Sequence, residues 1–210
     1  MESFEFDGDI AVDVVTGGRC ELLGLDLKGD ITFSGSAGRI LVAYRGAIID
    51  GDVAFEGGPG ADQFGPSEFG GSLVVNGDLN IDGGPGNDSI RLEDAFVGGE
   101  TLVSLGQSTG GQPNSLDKDL FDLRFSLLAG DVMIAGDEGD DHVLVLLTEI
   151  RGDFLIDMGN GADRVSFFGL LVSEEPIVFV DGGNGNSDQL NLNGFPLLPE
   201  EAAGFETINP

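Results

Sequence analysis

The sequence predicts an all-β chain, a parallel β-helix or β-solenoid of about eight coils with a period near 22 residues. Three observations carry this. A Gly-Asp step followed by apolar-x-apolar returns through the whole chain. A glycine-rich turn ending in aspartate returns at one phase of that repeat. Between the markers apolar and polar residues alternate, and no stretch carries the 3.6-residue stripe of a helix. Self-similarity at a period of tens of residues marks a repeat architecture, and alternation marks a strand with one buried face.

The Gly-Asp marker begins at Gly8, Gly29, Gly51, Gly77, Gly99 (with Glu100 in the acid place), Gly130 and Gly152. A degenerate eighth copy has Pro176 in the glycine place. Successive starts differ by 21, 22, 26, 22, 31, 22 and 24, so the modal period is 22. A unit of that length holds two or three short strands, which is one solenoid coil. Equivalent residues then stack at the ~4.8 Å strand spacing. Leu79 is expected over Val53, and Val132 in the same column as Phe154. One continuous core makes residues 1–210 a single domain, with repeats over about residues 5–195. Residues 196–210 are expected to cap the last coil or exit from it, with Phe195, Leu197 and Phe205 covering the end. Gly-rich hairpins of an antiparallel sandwich would not repeat one turn at one phase of every unit.

The turn reads Gly57-Gly-Pro-Gly-Ala-Asp62 in coil three and Gly83-Gly-Pro-Gly-Asn-Asp88 in coil four. Coil six has Gly136-Asp-Glu-Gly-Asp-Asp141, coil seven Met158-Gly-Asn-Gly-Ala-Asp163, and coil eight Gly182-Gly-Asn-Gly-Asn-Ser-Asp188. Coils one and two carry arginine in place of the aspartate, at Arg19 and Arg39. Coil five has no aspartate in its turn after Gly106, and a loop through Asn114 to Leu120 lengthens it. Long insertions in a solenoid often map to a functional face and are also tolerated as surface loops.

These turns resemble the hemolysin-type calcium-binding repeat of RTX proteins, Gly-Gly-x-Gly-x-Asp-x-apolar-x. The resemblance covers about a quarter of the chain. It departs from the family in having one such turn per coil of about 22 residues, where tandem nonapeptides make coils of 18 with a turn on both edges. It implies that Asp62, Asp88, Asp141, Asp163 and Asp188 hold Ca2+ between stacked turns, together with turn carbonyls. The chemistry is consistent with the residue types. Calcium takes six to eight oxygens from carboxylates and carbonyls, and Gly58, Gly60, Gly84, Gly86, Gly139 and Gly161 let the backbone turn its carbonyls inward. Asp82, Asp157 and Asp181, at the turn entrance, add carboxylate. The competing reading is a metal-free tight turn whose aspartate caps backbone amides. The Gly-Asp aspartates, such as Asp30 and Asp52, lack flanking glycines and are expected to form a solvated corner.

The bulk numbers narrow the function. Asp and Glu number 38 against 9 Lys and Arg, a formal net charge of −29. Such a surface repels phosphate, so nucleic acid is excluded as a partner and cations are favoured. With 40% hydrophobic residues the chain can build a core and is not a disordered acidic tail. The single cysteine, Cys20, excludes an intrachain disulfide. The N-terminus lacks the basic and apolar regions of a signal peptide, and no apolar run is long enough for a membrane span. No catalytic constellation is apparent. His142 is the lone histidine, expected at the surface, and Arg91, Arg151 and Arg164 are the only candidates for the base of a polysaccharide lyase. The chain therefore reads as a non-enzymatic, acidic, calcium-binding solenoid, an extracellular or cell-surface module whose protein or glycan partner is unspecified. A metal-free structural or adhesive solenoid is the alternative, and a lyase-like β-helix the lesser one.

Overall fold

A computed structural model of the chain describes residues 4–106, 118–172, 176–197 and 199–210. Each full coil lays down one strand on each of three parallel sheets, so the solenoid is three-sided. The first face runs from Phe4–Phe6 through Leu25–Leu27, Ala47–Ile49, Leu73–Val75, Ala95–Val97, Leu127–Leu128 and Glu149–Ile150 to Leu171–Val172. The second face runs from Ile10–Val14 through Ile31–Gly35, Val53–Glu56, Leu79–Asp82, Thr101–Ser104, Val132–Ala135, Phe154–Asp157 and Val178–Asp181 to Ala202–Ala203. The third face runs from Gly18–Leu23 through Ile40–Arg45, Gln63–Pro66, Ser89–Glu93, Leu120–Arg124, His142–Leu146, Arg164–Phe168 and Gln189–Asn191 to Thr207–Asn209.

The register follows the repeat. Leu79 pairs with Val53, and Val132 with Phe154, as the spacing predicts. In the interior coils alternate residues point inward and are buried, so the core is a set of columns, such as Phe33 over Phe55 and Ile134 over Ile156. Because every strand pairs with a neighbour one coil away, a strand's amides and carbonyls are satisfied along the stack. No helix among the described residues is long and apolar enough to cross a membrane.

Two features differ from the sequence expectation. The stack has nine turns on the second and third faces, not eight. Residues 196–210 do more than cover the end. Ala202–Ala203 pairs with Val180 and Asp181, and Thr207–Asn209 with Gln189 to Asn191, making a partial ninth coil. Phe195, Leu197 and Phe205 pack against the core. This coil lacks every glycine marker but one, Gly204, so the repeat pattern does not announce it. The long loop expected in coil five falls mostly on residues 107–117, outside the described residues.

The Gly-Asp marker has a steric cause. A Cβ on Gly51 would lie 2.0 Å from Oδ1 of Asp30, and one on Gly77 would lie 2.1 Å from Oδ1 of Asp52. Each aspartate lies over the glycine of the following coil and accepts the next amide. Thus Asp52 N–H donates to Asp30 Oδ1 (2.8 Å), and Asp78 N–H to Asp52 Oδ1 (2.8 Å). The pair templates its own successor: each aspartate fills the room that the glycine one coil later leaves for it.

Candidate functional site

A second ladder of acids runs at the corner leading into the third face, and it is buried. Asp62, Asp88, Asp141, Asp163 and Asp188 are between 0% and 3% exposed. Each is placed by its turn one residue ahead of a third-face strand, as Asp88 is ahead of Ser89–Glu93. The pairing of Ser89 with Leu120 puts Asp119 directly next to Asp88 in this column, and Asp119 is 3% exposed. Coil five therefore does contribute an acid, which corrects the reading of its turn as lacking one. The signal was present: Asp119-Leu-Phe121 has the Asp-x-apolar step of Asp88-Ser-Ile90, displaced by the inserted loop. Likewise the pairing of Gln189 with Thr207 places Glu206 beside Asp188 as the last acid of the column.

The carboxylates are chained through the backbone. Asp62 N–H donates to Asp88 Oδ1 (2.6 Å), and Asp88 N–H to Asp119 Oδ1. Asp119 N–H donates to Asp141 Oδ1 (2.9 Å), Asp141 N–H to Asp163 Oδ1 (2.8 Å) and Asp163 N–H to Asp188 Oδ1 (2.8 Å). Asp188 N–H ends the series on Glu206 Oε2 (2.6 Å). At the other end Ile40 N–H donates to Asp62 Oδ1. This ladder points toward the N-terminal coils, whereas the Gly-Asp ladder points toward the C-terminal ones.

The second carboxylate oxygens separate the sites. Asp62 Oδ2 accepts Gly58 N–H (2.9 Å), so both of its oxygens cap amides. Asp163 Oδ2 and Asp188 Oδ2 are buried and have no hydrogen-bond partner among the described residues. Burial disfavours the charged form here. It pushes the Asp163 carboxyl up to about 7, opposed by the Asp141 amide and reinforced by the neighbouring Asp188 and Asp140 charges. Burial likewise raises Asp188, opposed by the Asp163 amide and reinforced by Glu206. It also raises Asp62, against the Ile40 and Gly58 amides and the Arg39 charge.

The entrance acids lie apart from this column. Asp82 and Asp157 are exposed at the ends of their second-face strands, and Asp181 is half-buried at the end of its own. Each turns back on its own loop, accepting the amides of Gly84 (3.0 Å), Gly159 (3.1 Å) and Gly183 (2.9 Å). Asp157 and Asp181 are neighbours in register. No group of three or more acidic, histidine or cysteine side chains converges as a metal site among the described residues.

The turn glycines form the rest of the corner. Gly60 N–H donates to Pro85 O (2.9 Å), and Gly139 N–H to Asn160 O (2.9 Å). Gly84 and Gly139 adopt positive φ, 77° and 152°. A Cβ on Gly86 would lie 1.5 Å from the Gly60 carbonyl oxygen, and one on Gly161 would lie 1.5 Å from that of Gly139. Turn carbonyls are thus aimed along the stack at the next glycine. A cation here would take the leftover carboxylate oxygens of Asp163 and Asp188, a donor type that suits a hard ion. The fit is best at Asp163 and Asp188 and poorest at Asp62.

The lyase candidates are scattered. Arg91 pairs with the buried Asp122 (3.1 Å), and Arg151 with Glu149 (2.7 Å). Arg164 lies beside His142 in register, and Arg91 lies three coils from Ser166 of the Arg164 strand, roughly 14 Å at the strand spacing. His142 is half-buried rather than open to solvent, with Nε2 buried. Its burial, and then the Arg164 charge, lower its pKa. No family model matches this chain, and neither a curated protein nor a solved structure matches it.

Proposed function

We propose that the protein is a non-enzymatic calcium-binding solenoid that works in the calcium-rich medium outside the cell. One observation carries the reading: Asp163 and Asp188 stack on adjacent turns with buried Oδ2 atoms that have no partner among the described residues. Buried acceptors are almost always paired, and two stacked carboxylates call for a proton or a cation between them. The adjoining turn carbonyls favour calcium, which accepts carbonyl and carboxylate oxygen together. The formal charge of −29 adds long-range attraction for a divalent ion. Asp163 and Asp188 would hold the ion with the carbonyls of their turns. Asp82, Asp157 and Asp181 would act from outside, as an acidic approach.

The metal-free structural solenoid is favoured by a different observation, the double capping of Asp62 by the Ile40 and Gly58 amides. Thermal melting in millimolar calcium and in chelator separates the two readings. A ligand at 100 times its Kd stabilises by about 2.7 kcal/mol, which for a chain of this size is a rise of roughly 5–10 °C. Asp188→Asn removes most of that rise, and Asp30→Asn leaves it. A midpoint that calcium does not move defeats the calcium reading and leaves the capped turn.

A further inference from the structure

The second face carries an apolar stripe that no described segment of the chain covers. Leu102, Met133, Leu155 and Phe179 stand on its outer side in register, one per coil. Leu102 is 38%, Met133 49% and Phe179 37% exposed. They floor a shallow groove of about 630 Å³. Single exposed apolar residues are ordinary on a protein surface, but a contiguous patch rimmed by polar groups marks an interaction site.

Both rims carry acids. Glu100, Asp131 and Asp153 precede the first three strands, and Asp157 and Asp181 end the last two, while Ser104 and Ala135 end the others. Asp131 and Asp153 each accept one amide from the next coil with Oδ1, which fixes the carboxylates at the rim. Asp153 and Asp157 are four residues apart in an extended strand, so the rims stand about 13 Å apart. A helix with its side chains is about 10–12 Å wide and rises about 5.4 Å per turn. The coils rise by about 4.8 Å. One helical turn therefore meets about one coil, and an i, i+4, i+7, i+11 apolar row can follow the stripe.

We propose that this groove binds a basic amphipathic α-helix of a partner protein, lying along the stack axis. Its apolar row packs on Leu102, Met133, Leu155 and Phe179. Lysines or arginines on its two flanks reach the acidic rims. Charge complementarity selects this occupant. A second copy of the chain brings another net charge of −29 and, among the described residues, no helix longer than the turn Pro199–Glu201. The groove shares Asp157 and Asp181 with the approach to the proposed calcium site, so its test is run in chelator.

The probe is a helical leucine–lysine peptide of about four turns with leucine in the i, i+4, i+7, i+11 row. Its control is a scrambled peptide of the same composition, and both are titrated by fluorescence anisotropy at about 0.15 M salt, where surface charges are screened beyond ~8 Å. The patterned peptide is expected to bind at least about tenfold more tightly than the scrambled one. The pair Met133→Ser with Leu155→Ser keeps the charge and should abolish the difference, while Leu171→Ser on the first face should preserve it. Phe179→Ser serves in place of the pair if melting shows that the pair does not fold. Equal binding of the two peptides overturns the proposal, as adsorption to charge alone. So does an equal loss in Leu171→Ser. Self-association in sedimentation that the Met133 and Leu155 substitutions abolish overturns it in favour of a second copy.

Discussion

Thr101 is a polar residue in an apolar column. Its neighbours in register are Leu79 and Val132, it is 0% exposed, and its Oγ1 has no hydrogen-bond partner among the described residues. A buried hydroxyl without a partner costs its desolvation, about 1–3 kcal/mol. Thr101→Val replaces it with a methyl of similar size and keeps the β-branched shape that a strand favours. Chemical denaturation is expected to show the variant about 1 kcal/mol more stable, and a loss of stability would mean that the hydroxyl is satisfied in solution. Tyr44 shows the opposite case. It is also 0% exposed, yet its hydroxyl donates to Arg91 O (3.2 Å) and accepts Glu93 N–H (3.0 Å). It stands in where the third-coil strand ends at Pro66, which has no amide to offer the ladder. At this scale the sequence was legible in residue type and not in surroundings. The aspartates of the two markers look alike as text. One column is buried and points toward the N-terminus, and the other is largely exposed and points the other way. Alternation says which side of a strand a residue takes. It says nothing of a residue in a turn, where φ and ψ decide the direction.

The turn is the element that sets the stacking, and its glycines differ in what they tolerate. Gly86 has positive φ, and a Cβ there would lie 1.5 Å from the backbone oxygen of Gly60. Gly46 also has positive φ, 63°, but a Cβ there meets nothing within 4 Å. Gly46→Ala therefore carries only the left-handed backbone cost, about 1–2 kcal/mol. Gly86→Ala must also push its turn away from the one stacked on it, and overpacking adds a further 1–3 kcal/mol or so. Denaturant midpoints should fall more for Gly86→Ala than for Gly46→Ala, and equal losses would show that the turns can spread without cost. Motif spacing announced the tight element because glycine is obligatory there. It missed the ninth coil for the converse reason. The turn between Ala202–Ala203 and Thr207–Asn209 keeps a single glycine, Gly204, where earlier turns carry two or three, so no repeated motif marks the coil. Asp119 was hidden by length alone, since 31 residues separate it from Asp88 where the modal step is 22.

For the whole molecule, the column of buried acids couples stability to pH in a direction opposite to that of most acidic proteins. Paired carboxylates usually have lowered pKa values, and folding weakens as they take up protons. Here burial raises Asp62, Asp163 and Asp188, with Asp163 at about 7 against an ordinary 3.8. Between those values the folded chain binds more protons than the unfolded one, so its stability falls as pH rises. The contribution is complete below about pH 4 and is lost as pH passes through 7. Mutual repulsion in a chain of formal charge −29 acts in the same direction, but it is a surface effect that salt screens. In chelator the melting temperature is expected to be higher at pH 5 than at pH 7.5, with the difference persisting at about 0.5 M salt. Asp163→Asn, which has no proton to lose, should flatten the slope around pH 7. On the proposed calcium reading the slope should shrink in calcium as well, because an ion at Asp163 and Asp188 would take the place of the protons. If the chelated protein melts at the same temperature at both pH values, the acids are charged and compensated within the fold. The column would then need neither proton nor metal.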